Sequence, residues 1–158
     1  MKKLITLALA TLAVATSVAA FAADNSLGTW KLNVAKSKYS PAPFPVKSVT
    51  AVREAADNGV KVSTTGERAD GTAINTNYTA KYDGSSASVS GSGAPYDSVS
   101  LKQVNGNTFS YEAKNSTNKY HSNGKITISK DGKTMTYKGK GTDGEGKAMS
   151  ATLVYEKQ

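Results

Sequence analysis

Cysteine is absent from the 158 residues, and histidine and tryptophan occur once each, as His121 and Trp30. Without cysteine there is no disulfide, no thiol nucleophile, no thiolate-ligated metal and no lipoprotein lipobox. The single histidine shares its parity with Asn123, Lys125 and Thr127, the polar side of its segment, and no G-x-S-x-G elbow or comparable nucleophile motif accompanies it. No catalytic residue is assigned, and no enzyme activity is expected. The acidic residues are few and fall mainly in turns: Asp57, Asp70, Asp83, Asp131 and Asp143. "DGEG" at Asp143 to Gly146 lacks the spacing of an EF-hand loop, so no metal site and no cofactor are expected. Helical periodicity is missing as well, since beyond Asn25 no window holds apolar residues at i, i+3, i+4 and i+7.

The one long apolar run is at the start. "MKK" followed by "LITLALATLAVATSVAAFA" has the basic n-region, apolar h-region and small-residue end of a Sec signal peptide. Residues 1–22 are read as that leader, with cleavage between Ala22 and Ala23. A membrane anchor is the alternative, but the run is threaded with Thr and Ser and is short for a ~20-residue span. The mature chain, 158 residues less the leader's 22, is one domain, residues 23–158, large enough for a core without disulfide staples. Loss of Lys2 and Lys3 lowers the formal net charge from +8 to +6. A periplasmic or secreted location is expected, and the chain is not expected to be integral to a membrane.

What remains is rich in Gly, Ser, Thr, Asn and Tyr and is punctuated by turn dipeptides. Asn58-Gly59, Asp70-Gly71, Asp83-Gly84, Asn105-Gly106, Asn123-Gly124, Asp131-Gly132 and Asp143-Gly144 suit hairpin turns that need positive φ. Between them the apolar period is two. Trp30, Leu32 and Val34 share one side; so do Val60 with Val62, Ile74 with Tyr78, Ala80 and Tyr82, Phe109 with Tyr111, Met135 with Tyr137, and Met149 with Leu153 and Tyr155. "SVTAVREAA" breaks the pattern, with Val49 and Val52 on opposite parities, which a bulge or an edge position would explain. About ten strands with one apolar face must close or fold over. Sequential hairpins favour an all-β, antiparallel up-and-down barrel of about 8–10 strands. The proline-rich "AKSKYSPAPFPVK" is expected to be a loop after one helical turn, and a candidate cap.

Gly28 and Trp30, in a first strand followed by a long loop and a meander, resemble the calycin superfamily, which includes lipocalins and fatty-acid-binding proteins. The resemblance implies that Trp30 closes the narrow end of a barrel. "GTWKLNVAKSKY", "SKDGKTMT" and the terminal "YEKQ" are similar to a group of small secreted proteins of Gram-negative bacteria, which implies a lipocalin-like barrel and carries no activity with it. The last strand departs from the better-known members. "ATLVYEKQ" holds Tyr155 but no arginine, the chain's arginines being Arg53 and Arg68. The Arg-x-Tyr carboxylate anchor of fatty-acid binders therefore does not carry over, nor does the arginine that lipocalins stack on the tryptophan.

Aromatics on the inward parity both fill a barrel and form a pocket. Tyr78, Phe109, Tyr111, Tyr137 and Tyr155 are the candidate ligand-binding residues, because a phenol packs its ring and offers one oriented polar contact. Lys125, Lys138 and Lys140 are expected to face outward. They form either a solvated face that discourages edge pairing or a basic face for anionic envelope lipid or polysaccharide. Nucleic acid is not an expected partner. Two functions follow: a carrier holding a small apolar or amphipathic ligand in the barrel, or a non-enzymatic interaction protein with a packed barrel and a basic face.

Overall fold

The structure, a computed structural model, describes residues 24–158; the leader and its cleavage site lie outside the described residues. Twelve strands form one antiparallel sheet: β1 (Gly28–Leu32), β2 (Lys38–Ser40), β3 (Val46–Ala56), β4 (Gly59–Arg68), β5 (Ala73–Lys81), β6 (Asp83–Ser88), β7 (Ser90–Ser92), β8 (Ser98–Asn105), β9 (Thr108–Lys114), β10 (His121–Ile128), β11 (Thr134–Thr142) and β12 (Ala148–Lys157). Their hydrogen-bonded order is β6-β8-β9-β10-β11-β12-β1-β3-β4-β5-β7, with β2 beside β12. The two ends of that order, β6 and β7, are consecutive in the chain and separated by Val89 alone. Residues 83–92 therefore pair first with β8 and then with β5, and the sheet rolls into a nearly closed barrel.

Short polar side chains set most of the turns. The carboxylates of Asp70, Asp131 and Asp143 each accept from the backbone N–H two residues on, the Asx arrangement that mimics a backbone turn. Asn58 takes a φ of +51° in the β3–β4 hairpin. Two expected turns are instead inside strands. Asn123-Gly124 lies in the middle of β10, where Gly124 faces Tyr111 on one side and Gly139 on the other. A Cβ there would run into the Lys138 carbonyl, so the glycine serves close backbone approach, not reversal of the chain. Asp83-Gly84 makes a bulge within β6: Asp83 accepts from the Ser85 amide at 2.8 Å, Gly84 has a φ of +90°, and the register against β8 shifts there.

The proline-rich segment is shorter as a loop than expected. Val34–Lys36 forms a single 3₁₀ turn capped by Asn33, and Lys38–Ser40 then pairs with β12. The irregular strand, β3, lies between β1 and β4 and is not an edge. It has a register shift between Val46 and Ser48, but its inward parity is Val49, Ala51 and Arg53, while Val52 is 37% exposed. The parity broke in the sequence because an arginine occupies an inward position.

The antiparallel course puts the β3–β4, β8–β9 and β10–β11 connections at one end of the barrel together with the start of β1 and the end of β12, and this end is filled. Trp30 is fully buried, Phe109, Ile126, Ile128 and Met135 belong to the same core, and Tyr82 packs on Phe109 with ring centroids 4.8 Å apart. Trp30 Nε1 donates to the Ser26 carbonyl at 2.9 Å, and Lys157 Nζ stands 5.2 Å from the indole centroid. Gly28 makes room for that lysine: its φ is +117°, and a Cβ would come within 2.8 Å of Lys157 Cε.

Candidate functional site

The opposite half of the barrel is hollow, and small inward residues make it so. Across β8 to β12 one inward row reads Leu101, Tyr111, Gly124, Gly139 and Ala151. The next reads Val99, Ala113, Ser122, Gly141 and Met149. In the first row the Tyr111 ring spans the space the glycines leave, and a Cβ on Gly139 would run into its hydroxyl. The result is a cavity of about 330 Å³, toward the lower end of the ~300–1,000 Å³ usual for small-molecule sites.

Seven of the eight tyrosines line this cavity, Tyr82 being the exception. The apolar part of the wall comes from Leu32, Val49, Val62, Ile74 and Leu101. Inside, the rings of Tyr111, Tyr137 and Tyr155 follow one another at centroid distances of 5.7 and 5.5 Å, tilted by 59° and 57°. At the mouth Tyr39 meets Phe44 edge-on and Tyr96 lies 6.1 Å from Tyr120. Phe44 and Pro45 of the proline-rich loop also line the cavity, which places that segment over the opening as a cap. Arg68 donates to the Gly93 carbonyl at 3.1 Å there, and Asp143 and Gly144 contribute from the β11–β12 turn.

The hydroxyls divide into bonded and free. Tyr111 shares a 3.2 Å hydrogen bond with Ser122, and Tyr39 donates to Met149 Sδ at 3.3 Å. Tyr137 Oη accepts from Arg53 Nη1 at 3.3 Å. The hydroxyls of Tyr78, Tyr96 and Tyr155 have no hydrogen-bond partner among the described residues, although Tyr155 is only 8% exposed. Burial pushes the phenols of Tyr78, Tyr96, Tyr120 and Tyr155 upward, so they stay protonated and act as O–H donors.

Beneath the cavity floor lies Arg53, 2% exposed. Its Nε donates to the Ser26 carbonyl at 2.9 Å and its Nη2 to Ser26 Oγ at 3.4 Å. Ser26 Oγ is 3.2 Å from Tyr82 Oη, which donates to Asp24 Oδ2 at 2.8 Å. The nearest carboxylate of this network is thus reached only through neutral groups, and among the described residues no acidic side chain pairs with Arg53 directly. Burial opposes the arginine's charge; the oxygens of Tyr137, Tyr78 and Tyr82 outweigh that, so it holds its proton more firmly than usual.

Of the residues singled out in the sequence, Tyr78, Tyr111, Tyr137 and Tyr155 line the cavity, whereas Phe109 lies outside the lining, fully buried against Tyr82. Lys125, Lys138 and Lys140 are exposed on the outer face. Sequence reasoning missed Tyr39, Tyr96 and Tyr120, which sit in short or looped segments where alternation says nothing. It also missed Arg53; the one signal was its parity with Val49 and Ala51. His121 is on the outer face with its Nε2 2.9 Å from Glu112 Oε1, and Lys114 approaches the other oxygen at 3.0 Å.

No family model matches this sequence, and no curated protein matches it. Among solved structures the chain is similar to one described as "EF1p2_mFAP2b bound to DFHBI", at 11% identity and a TM-score of 0.48, over 85% of this chain and 94% of that one.

Proposed function

We propose that this protein is a carrier that holds a small apolar or amphipathic molecule in the barrel cavity, in the periplasm or outside the cell, without converting it. The observation that supports this reading is the cavity itself: a barrel that packs one half solidly leaves the other half open, aromatic and equipped with free hydroxyls. Affinity would come mainly from apolar burial, ~25 cal/mol per Å² before the costs of association, and would depend little on salt. The neutral fluorophore N-phenyl-1-naphthylamine is expected to bind the wild type. Ala151→Leu, which fills the hollow opposite Gly139, is expected to weaken it at least tenfold while the far-ultraviolet circular dichroism stays unchanged. Absence of binding, or binding that survives this substitution and vanishes at high salt, overturns the carrier reading.

Export is part of the proposal. Intact mass of the protein from a periplasmic fraction should correspond to a chain starting at Ala23; a retained leader would favour the anchor.

A second reading has one observation behind it. Directly paired outer positions run Lys102, Ser110, Lys125, Lys138, Thr152 and Lys38 across six strands. None of these four lysines has an acidic partner within 4.0 Å among the described residues. Like charges directly opposite on neighbouring strands are unfavourable, and an anionic envelope lipid or polysaccharide would relieve them. Salt-sensitive binding to such a polymer that Lys125→Gln/Lys138→Gln abolishes would support it.

A further inference from the structure

A buried guanidinium needs compensation. Charges taken out of water are costly unless paired, and the hydrogen-bond acceptors of Arg53 are all neutral: the Ser26 carbonyl, the Ser26 hydroxyl and the Tyr137 hydroxyl. The last of these is the one that faces the cavity. Because Tyr137 Oη accepts from Arg53, its own proton is directed elsewhere, and the guanidinium polarises that O–H as a donor. Tyr78 and Tyr155 add two further hydroxyls without partners among the described residues. All three line the one cavity: the Tyr137 and Tyr155 rings stand 5.5 Å apart, and Tyr78 shares the inward row of Arg53, paired through Val62.

We infer that the cavity is selective for a planar organic anion with its charge on oxygen, a phenolate or an aryl carboxylate, whose oxygen sits on the hydroxyls of Tyr78, Tyr137 and Tyr155. This rests on the carrier reading and names the ligand class for it. The charge is read through Tyr137; the ligand does not touch Arg53, which lies below the lining.

Size and shape narrow the class. A small inorganic anion would give up its hydration for three hydroxyls alone. A delocalised aryl anion is less strongly hydrated and also buries its ring between the apolar wall and the tilted rings of Tyr111, Tyr137 and Tyr155. A cation would be repelled by Arg53. The other charged side chains of the lining, Arg68 and Asp143, are opposite in sign and both act on the Tyr39 phenol, so their fields oppose each other. Asp24, beyond Ser26 and Tyr82, is the remaining charge of the network.

The test uses 4-nitrophenol, whose ionised form is coloured, and the neutral isostere 4-nitrotoluene. With the wild-type protein, bound 4-nitrophenol is expected to ionise at least one pH unit below the free compound, and the phenolate to bind at least tenfold more tightly than 4-nitrotoluene. Tyr137→Phe, which keeps the ring and removes the relay, should reduce that preference at least fivefold. Arg53→Met should abolish it, and if that variant does not fold, Tyr137→Phe decides. If 4-nitrotoluene binds as tightly as the phenolate, the anion selectivity is wrong and the carrier reading stands; if Tyr137→Phe leaves the preference intact, the relay through Tyr137 is wrong. If neither compound binds while N-phenyl-1-naphthylamine does, the anion selectivity is wrong and the carrier reading stands; if none of the three binds, both fall.

Discussion

Trp30→Ala is expected to lower the stability of the barrel by about 3–5 kcal/mol, the cost of emptying a large aromatic site in a packed core. The effect should reach the upper part of that range because three elements depend on the indole. Its ring fills the closed end between β3 and β12, where Trp30 stands opposite Ala51 and Lys157. Its Nε1 ties down the Ser26 carbonyl, which also accepts from Arg53. Its face carries the Lys157 ammonium. Trp30→Phe keeps most of the volume and loses the hydrogen bond, so it should cost well under half as much. Chemical denaturation followed by circular dichroism measures both. The native indole should emit at short wavelength and resist quenching by iodide; a red-shifted, easily quenched signal would contradict its burial.

Raising the pH should unfold the protein in one step, with tyrosinate absorbance and loss of β-structure appearing together. Burial raises the phenols of Tyr78 and Tyr155 above the ordinary 10.0, and Tyr82, Tyr96, Tyr111 and Tyr120 move the same way for the same first cause. A group with a raised folded-state pKa contributes its full stability below the unfolded value. That contribution is lost progressively as the pH climbs from 10.0 toward the folded value, because the unfolded chain releases its protons first. Each tenfold gain in proton affinity on folding is worth ~1.4 kcal/mol. Losing that gain at several phenols together removes stability in the same pH range, so tyrosinate formation is expected to accompany unfolding. A spectrophotometric titration in which phenolate forms gradually from pH 10 with the circular dichroism unchanged would show that the hydroxyls are open to bulk solvent.

Much of the sheet was legible because it obeys the period of two. Ile74, Thr76, Tyr78 and Ala80 on β5 alternate with polar residues, and the structure turns the former inward. Trp30 and Leu32 behave the same way. The errors share a physical cause, the competition between local preference and pairing. Asn-Gly favours a reversal, but at Asn123-Gly124 both flanks of the segment are hydrogen-bonded to neighbours, and that outweighs a two-residue bias. Asp83-Gly84 yields a bulge for the same reason, since the chain must change partners soon after β6.

The site was half legible. Tyrosines on β5, β9, β11 and β12 could be placed by parity, but those at the mouth could not, because no periodic rule governs residues 93–97 or 115–120. Arg53 was opaque for a longer-range reason. A charged residue is read as outward unless its partners are known, and its main acceptor, Ser26, is 27 residues away in sequence. Ala, Ser and Thr at inward positions hinted at space in the sequence, but the strand glycines that open it equally well signal turns.

The barrel has two discontinuities of different kinds. Between β6 and β7 the hydrogen-bonded order ends, yet the chain runs on without a break through Val89. β1 and β12, the first and last strands, are not connected to each other along the chain, yet the ladder between them is intact, with Lys31 opposite Glu156 and the Gln158 backbone N–H donating to the Thr29 carbonyl at 3.0 Å. Six strands, β12 to β6, lie between these places one way around the order, and five, β1 to β7, the other way, so the two are on opposite sides. The ring is thus sewn covalently where it is not laddered and laddered where it is not sewn, and no line down its wall is weak in both respects. Linking Gln158 to Asp24 and cutting at Val89 would superpose the two gaps, turning a nearly closed wall into a sheet with two free edges.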